Sequence, residues 1–214
     1  MYPPDNGCCF DDSGDPDPGQ SVLPISIHNK KLKITCLDVG QGDGILVRTP
    51  DNRNYLIDGG SSNRSELGRY CILPALKSRG ISCLDGIFIS HTDKDHISGV
   101  QELLEYMEKN LTVIRAGYLI LPDWEDPPQA WTDLAETAAK AGVKTVTGAA
   151  GDIIRSGEAA FSILWPESKA KGSDVNEEAM VMELTYGDFR MLFAQYFYEV
   201  FRAWPCDFCC DKHE

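Results

Sequence analysis

The sequence contains no long apolar run and has little positive charge. None of its apolar stretches approaches the roughly 20 residues that a membrane-spanning helix needs, and residues 1–5 lack the basic start and apolar stretch of a signal peptide. Lysine and arginine number 20 against 33 aspartates and glutamates, which gives a formal net charge of -13. Because affinity for phosphate backbones comes largely from lysine and arginine, this balance argues against tight nucleic-acid binding by charge alone. We expect the chain, as it stands, to be soluble.

Nucleotide-binding, glycosylation and lipidation motifs are also missing. The glycine-rich residues 40–44, Gly-Gln-Gly-Asp-Gly, form neither a phosphate loop nor a dinucleotide fingerprint, so no nucleotide cofactor is expected. The 8 cysteines are unevenly placed in a chain of 214 residues, unlike the disulfide framework of a small secreted domain. Cys36, Cys71 and Cys83 fall in apolar stretches, and we interpret them as small core residues.

Composition divides the chain into three parts. Residues 1–30 are rich in Pro, Gly, Asp and Ser and have no sustained apolar period, which is typical of a flexible leader or linker. Residues 31–194 mix strand-like and helix-like patterns, which predicts an α/β domain whose chemistry lies on loops at one sheet edge. Residues 195–214 form a cysteine-rich tail that starts abruptly within a strand pattern. We expect this tail to be aberrant, through a shifted reading frame or a truncated gene product.

Apolar periodicity places the elements of residues 31–194. The patterns predict a hairpin of two strands, a third strand ending at Asp58, and a buried strand over 84–90 that runs directly into His91. A helical stripe over 98–109 follows, which would leave residues 91–97 on a strand-to-helix loop. Further elements are predicted at 67–77 (helix, interrupted by Pro74), 118–121, 130–141 (helix), 144–147, 161–165 and 180–193 (hairpin).

Four potential metal ligands lie on that loop: His91, Asp93, Asp95 and His96. Imidazole nitrogens suit zinc, manganese or iron, and carboxylate oxygens suit harder ions, so the mixed set is typical of a two-metal hydrolytic centre. Two adjacent ions can lower the pKa of a shared water and hold the entering and leaving oxygens. The alternative is a solvated helix start at which Asp95 is the N-cap, which explains neither both histidines nor the flanking pattern.

These residues resemble a known family. Residues 90–99, Ser-His-Thr-Asp-Lys-Asp-His-Ile-Ser-Gly, resemble the histidine and aspartate motif of the metallo-β-lactamase superfamily, with Asp93 in place of the usual second histidine. Together with four further matches, this motif makes the chain, from about Leu32 to Ala194, similar to the extracytoplasmic hydrolase domain of ComEC-type DNA-uptake competence proteins. The further matches are Leu-Asp-Val-Gly-Gln-Gly-Asp at 37–43, Leu-Ile-Asp-Gly-Gly at 56–60, Leu73-Pro74 and Asn176. The resemblance implies a metallo-β-lactamase αββα sandwich whose C-terminal half is incomplete here.

The resemblance also assigns roles to the residues of the motif. It implies that His91 and Asp93 bind one divalent metal, zinc or manganese, and that Asp95 and His96 bind a second. Asp95 would in addition be the catalytic residue that orients the attacking water.

Four other residues are candidates for supporting the metal ligands or contacting substrate. Asp58 would brace the metal loop, or would simply be a turn residue before two glycines. Gln41 and Asp43 lie on the first glycine-rich loop and either approach the site or form a plain hairpin turn. Asn176 falls where many relatives have a histidine, and either faces the site or caps a loop.

The resemblance stops at residue 194. In the family, a strand like residues 190–193 continues into a Gly-Asp pair whose aspartate bridges both metals, and a later segment supplies more histidines. Neither feature is present in residues 195–214. The family binds two metals, and we therefore expect one or none in this chain.

Two functions of different classes are compatible with this pattern. The first is a metal-dependent phosphodiesterase or nuclease linked to DNA uptake, with DNA as substrate and, in the family, a membrane channel domain as partner and an extracytoplasmic location. The second is a catalytically silent binding or structural remnant that lacks the bridging aspartate and the later histidines. Lactam or thioester hydrolysis fits the superfamily, but such enzymes generally keep the histidine that Asp93 replaces.

Overall fold

The computed structural model describes residues 31–171, 176 and 178–194, which form two β-sheets and a layer of helices. The first sheet has six strands in sequence order, with β1 to β3 antiparallel and β3 to β6 parallel. The second sheet is antiparallel, with strand order β10-β9-β8-β7. The first sheet consists of β1 (Lys33–Cys36), β2 (Ile45–Arg48), β3 (Asn54–Ile57), β4 (Cys83–Phe88), β5 (Arg115–Pro122) and β6 (Lys144–Gly148). The second consists of β7 (Ile153–Ser156), β8 (Ala159–Trp165), β9 (Val181–Tyr186) and β10 (Phe189–Phe193).

Helices connect the parallel strands, because a parallel crossover needs a long connection. A π-helical turn (Gly68–Ile72) and α1 (Leu73–Ser78) join β3 to β4, α2 (Lys94–Glu108) joins β4 to β5, and α3 (Gln129–Lys140) joins β5 to β6. Pro74, where the sequence predicts an interruption, lies in the first turn of α1, where its missing N–H costs no helical bond. Within the described ranges, no helix follows β6.

Two apolar cores hold the layers together. One joins the helices to the first sheet and includes Leu56, Ile87 and Leu104, all fully buried. The other joins the two sheets around Phe161, whose ring lies 4.8 Å from that of Tyr55 and 5.2 Å from that of Phe88. Because successive strand residues point to opposite faces, a central strand such as β3 serves both cores and is buried along its whole length. The predicted α/β class is confirmed, and within the described residues the helices cover the first sheet.

Several details differ from the sequence prediction. Helix α2 begins at Lys94 instead of residue 98, so Asp95 and His96 lie in its first turn, and Asp93 is the N-cap residue in place of Asp95. The apolar pattern of the sequence does not include this turn, because it begins with Lys94 and Asp95, which are polar and not buried. Strand β7 was not predicted, since two of its four residues, Ile153 and Arg155, are exposed.

The interpretation of the cysteines as core residues is wrong. Cys36 is exposed, and Cys71 and Cys83 are half-buried. Cys36 ends the edge strand β1, and Cys83 begins β4, so neither occupies the buried centre of a strand.

Two segments of the predicted organisation lie outside the described residues, namely the leader at 1–30 and the tail at 195–214. In the part of the chain that the structure describes, no helix has the length and apolar character needed to cross a membrane.

Candidate metal centre

The candidate site lies where β3 and β4 end at the same edge of the sheet. These strands are parallel, with Ile57 paired to Phe88, so the residues that follow each strand are neighbours. Asp58 directly follows β3, and Ser90 and His91 follow β4 and lead into α2. Asp58 has a left-handed backbone, with φ 53°, which turns the chain sharply under the start of α2.

Glycines let the loop after β3 contact the backbone of α2. The N–H of Gly59 donates to the carbonyl of His96 at 2.9 Å, and the carbonyl of Gly59 accepts from the N–H of Val100 at 3.0 Å. A Cβ on Gly60 would overlap the backbone of Asp95 and His96. A side chain at this position would therefore push the first turn of α2, and the ligands on it, away from the sheet edge.

The two histidines are buried and lie against each other. Their ring centroids are 4.1 Å apart, with an angle of 41° between the ring planes. His91 is 1% exposed and His96 is 2% exposed. The sequence motif thus brings both imidazoles together inside the loop, although one lies before α2 and the other within it.

A buried hydrogen-bond network holds the inner side of both rings. Asp58 Oδ1 accepts from the backbone N–H of Ser90 at 2.8 Å, and Asp58 Oδ2 accepts from the Ser90 hydroxyl at 2.8 Å. Asp58 Oδ2 also lies 3.1 Å from Nδ1 of His96. Ser90 Oγ lies 3.1 Å from Nδ1 of His91 and 3.4 Å from Nδ1 of His96. Every one of these ring contacts is made through Nδ1, which leaves both Nε2 atoms for the outer side.

Two carboxylates face the outer side of the rings. Asp93 Oδ2 lies 3.5 Å from Nε2 of His91, and Asp95 Oδ2 lies 3.8 Å from Nε2 of His96. The side chains of Asp93 and Asp95 are 46% and 37% exposed, respectively, whereas those of the histidines are buried. The structure therefore sorts the four motif residues into two His/Asp pairs that open toward solvent.

Each pair fits two ligands of one metal ion. Ligands held at about 2.1 Å from a tetrahedral zinc lie roughly 3.4 Å apart, close to the separations in both pairs. The imidazole and carboxylate donors suit zinc or manganese. Among the described residues, no group of three or more His, Cys, Asp and Glu side chains could hold a metal ion. Each pair would therefore need further ligands from outside itself.

Charges around the rings shift the two histidine pKa values in opposite directions. Burial, followed by the neighbouring His96, lowers the pKa of His91. For His96, burial also disfavours the charged form, but the hydrogen bond to Asp58 and the carboxylates of Asp58, Asp95 and Asp43 outweigh it and raise the pKa. The field of these carboxylates favours a bound cation at the mouth of the site.

Of the two residues predicted on the first glycine-rich loop, the structure brings one close to the site. The N–H of Asp43 donates to the carbonyl of Asp95 at 3.2 Å, and its own carbonyl accepts from Gly60 at 3.1 Å. Gln41 is exposed and contacts the neighbouring loop, because its N–H donates to Asn63 Oδ1 at 2.9 Å. The loop is thus a hairpin connection that also packs on the start of α2.

The structure places Asn176 in a turn, with its carbonyl accepting from the N–H of Ala179 at 3.3 Å. The N–H of Met180, the residue after Ala179, donates to the carbonyl of Ser90 at 2.6 Å. The segment that holds Asn176 therefore adjoins the metal loop.

Sequence reasoning overlooked Ser90. It stands in the motif directly before His91, but a serine at the end of a strand carries no chemical signal of its own. Its place between Asp58 and both imidazoles follows from the pairing of β3 with β4.

Comparison with known proteins identifies the family. The family model described as the metallo-beta-lactamase superfamily matches residues 37–172. ComE operon protein 3 of Bacillus subtilis is 30% identical over 168 residues, which cover 72% of this chain and 21% of that protein. Competence protein ComA of Neisseria gonorrhoeae is 37% identical over 81 residues, covering 38% of this chain and 11% of that protein. The chain thus matches at most about a fifth of the length of these two curated relatives.

The fold agrees as well. The crystal structure of the metallo-beta-lactamase fold protein YhfI from Bacillus subtilis superposes with a TM-score of 0.52 at 18% identity, covering 80% of this chain and 66% of that one. This likeness concerns the fold alone. The resemblance to competence proteins read from the sequence is confirmed at the level of similarity, and divalent-metal binding is a general property of the fold. The chain belongs to the metallo-β-lactamase superfamily.

Proposed function

We propose that this domain is a metal-dependent phosphodiesterase that cleaves DNA in connection with DNA uptake. The observation that carries the proposal is the arrangement of the motif as two His/Asp pairs on a buried Asp58 and Ser90 support. The similarity to two competence proteins supports DNA as the substrate class.

In this proposal, with zinc or manganese in excess, His91 and Asp93 would hold one ion and His96 and Asp95 another, and with two ligands each, neither position holds its ion tightly. When bound, such ions supply a Lewis acid for the phosphoryl oxygens and lower the pKa of water. Asp95 is half-exposed and presents its carboxylate to solvent, so it can orient an attacking water by accepting a hydrogen bond. Asp58 keeps the ring of His96 in place through its Nδ1 contact.

Electrostatics make DNA binding depend on the metal. The chain carries a formal net charge of -13, and the carboxylates of Asp93 and Asp95 lie on the outer side of the histidines. Phosphates would be repelled from this surface when no cation is bound. We therefore expect DNA affinity to rise when manganese or zinc is added, and to fall again with chelator.

Cleavage of labelled single-stranded and double-stranded oligonucleotides, with manganese or zinc, tests the proposal. We expect cleavage by the wild-type protein that EDTA abolishes and that His91→Ala removes. Glu105→Gln is the matched control, because Glu105 lies on α2 in an exposed ion pair with Lys109 and should leave cleavage unchanged. Wild-type cleavage no greater than that of His91→Ala would overturn the proposal.

A second candidate function is a catalytically silent module that binds DNA or a partner. The observation that favours it is that the described residues bring only two ligands to each metal position. Fluorescence anisotropy separates the two candidates: metal-dependent DNA binding without any cleavage supports the silent module.

A further inference from the structure

Ser90 lies at the centre of the buried network behind the histidines. It is 8% exposed, and its hydroxyl oxygen lies within 3.1 Å of both the Asp58 carboxylate and Nδ1 of His91. A serine hydroxyl has a single hydrogen to donate but can accept through its lone pairs. The direction of each bond can therefore be deduced from the partners.

The Asp58 carboxylate determines the directions. It can only accept, and it receives the Ser90 backbone N–H on Oδ1 and the Ser90 hydroxyl on Oδ2. Once the hydroxyl hydrogen points at Asp58, Ser90 Oγ can only accept from the imidazoles. Nδ1 of His91 must then carry a proton and donate it to Ser90. Nδ1 of His96 must also be protonated, because it faces Asp58 Oδ2 directly.

The opposing influence comes from the outer carboxylates, which would attract a proton to Nε2. Asp93 Oδ2 is 3.5 Å from Nε2 of His91, and it belongs to a half-exposed side chain. The contact of His91 with Ser90 is shorter, at 3.1 Å, and it is buried. A hydrogen bond is electrostatically stronger in the protein interior than at the surface. The same comparison holds for His96, at 3.1 Å to Asp58 against 3.8 Å to Asp95.

We propose that Ser90 is a positioning residue whose hydroxyl connects the Asp58 carboxylate to Nδ1 of His91 in a hydrogen-bond relay. Through this relay and its direct contact with His96, one buried carboxylate sets the tautomer of both histidines. Each ring then carries its hydrogen on Nδ1 and presents the lone pair of Nε2 to the outer side. A ring nitrogen must be unprotonated to bind a metal. The value of this arrangement for metal binding rests on the proposed function, whereas the tautomers themselves do not.

Nitrogen NMR of the metal-free protein tests the inference. The sequence has 4 histidines, and His28 and His213 lie outside the described residues. A His28→Gln/His213→Gln variant labelled with 15N-histidine leaves only the two imidazoles of interest. At alkaline pH, where both rings are neutral, we expect protonated Nδ1 and unprotonated Nε2 on each. Protonated Nε2 on His91 in this otherwise unaltered site would overturn the proposal.

Substitution of Ser90 separates positioning from a merely structural role. In Ser90→Ala, His91 loses its inner acceptor and should shift toward the Nε2–H tautomer facing Asp93, while His96 keeps its direct bond to Asp58. Ser90→Thr retains the hydroxyl and should restore the His91 tautomer. Ser98→Ala is the control, since the Ser98 hydroxyl bonds the backbone of Ser61 and neither histidine. Equal changes at both rings, or none at His91, would contradict the relay.

Zinc affinity, measured by competition with a chromophoric chelator, gives a second readout. Loss of an orienting partner typically costs about 10 to 100-fold in metal affinity, and we expect a loss of this order in Ser90→Ala and recovery in Ser90→Thr. An unchanged affinity together with a shifted tautomer would show that the relay does not serve metal binding. If the tautomers are as proposed and no DNA is cleaved, the proposed function fails while this inference stands.

Discussion

Replacing Asp58 by asparagine should separate the electrostatic role of this side chain from its role in stability. The substitution preserves shape, and the asparagine Oδ1 can still accept from the Ser90 backbone N–H. Its amide group, however, would present hydrogens to the Ser90 hydroxyl and to Nδ1 of His96, where Asp58 Oδ2 now accepts at 2.8 and 3.1 Å. To avoid donors facing donors, His96 must move its proton to Nε2. The Ser90 hydroxyl loses its acceptor at Oδ2 and can donate to Nδ1 of His91 instead, which favours the Nε2–H tautomer of that ring as well.

The magnitudes follow from the hydrogen bonds involved. Because the rearranged network stays satisfied, we expect Asp58→Asn to cost only about 1 kcal/mol of unfolding free energy, the net worth of a typical hydrogen bond. Metal affinity should fall by about 10 to 100-fold, which corresponds to about 1.4 to 2.7 kcal/mol. Asp58→Ala should cost more stability than Asp58→Asn, because it leaves the Ser90 N–H and the Nδ1 hydrogen of His96 buried without an acceptor. At about 1 to 3 kcal/mol for each buried unpaired donor, it should cost about 2 to 6 kcal/mol in stability.

Urea denaturation and zinc titration of the same variants provide the assay. Asp133→Asn is the control, because Asp133 is an exposed aspartate on α3 whose side chain accepts only from Gln129. The expected result is a large affinity loss with a small stability loss in Asp58→Asn, and a large stability loss in Asp58→Ala. Wild-type zinc affinity in a folded Asp58→Asn protein would refute the reasoning about ring tautomers.

Three further predictions concern the rest of the domain. Phe161→Ala should destabilise the protein by about 3 to 5 kcal/mol in chemical denaturation, since it empties the aromatic cluster between the sheets, whereas the 43% exposed Phe189 should cost far less when replaced by alanine. Burial raises the pKa of Asp85, although the hydrogen bond from the Asn54 N–H lowers it in part. The folded state therefore binds a proton on the Asp85 carboxyl more tightly than the unfolded state does, and the free energy of unfolding falls as the pH rises above the ordinary aspartate pKa. The stability of Asp85→Asn relative to wild type should therefore increase as the pH rises above the ordinary aspartate value; a difference that does not change with pH would contradict this assignment. Finally, elemental analysis after gel filtration should find at most one metal per chain, because each His/Asp pair provides only two ligands; two tightly held ions would show that other residues complete both shells.

The residue pattern by itself was enough to locate the metal motif. Its four ligand candidates lie within a single short segment, so their proximity needs no long-range contact. The alternation of residues 32–39 and 45–49 was similarly sufficient to predict the first hairpin, and Gly187 and Asp188 mark the turn between β9 and β10. Local periodicity and turn chemistry depend on neighbouring residues, and these are visible in the sequence.

The support of the motif and the pairing of its four candidate ligands depend on long-range contacts that the sequence does not show. Asp58 and Ser90 are 32 positions apart, and they meet because the parallel register of β3 and β4 pairs Ile57 with Phe88. The early start of α2 places His91 and His96 on different elements but with adjacent rings, which sorts the four candidate ligands into two pairs. Periodicity predicts which face of a strand is buried, but hydrogen-bond partners depend on which strands pair and in what register, and only the packed sheet determines that.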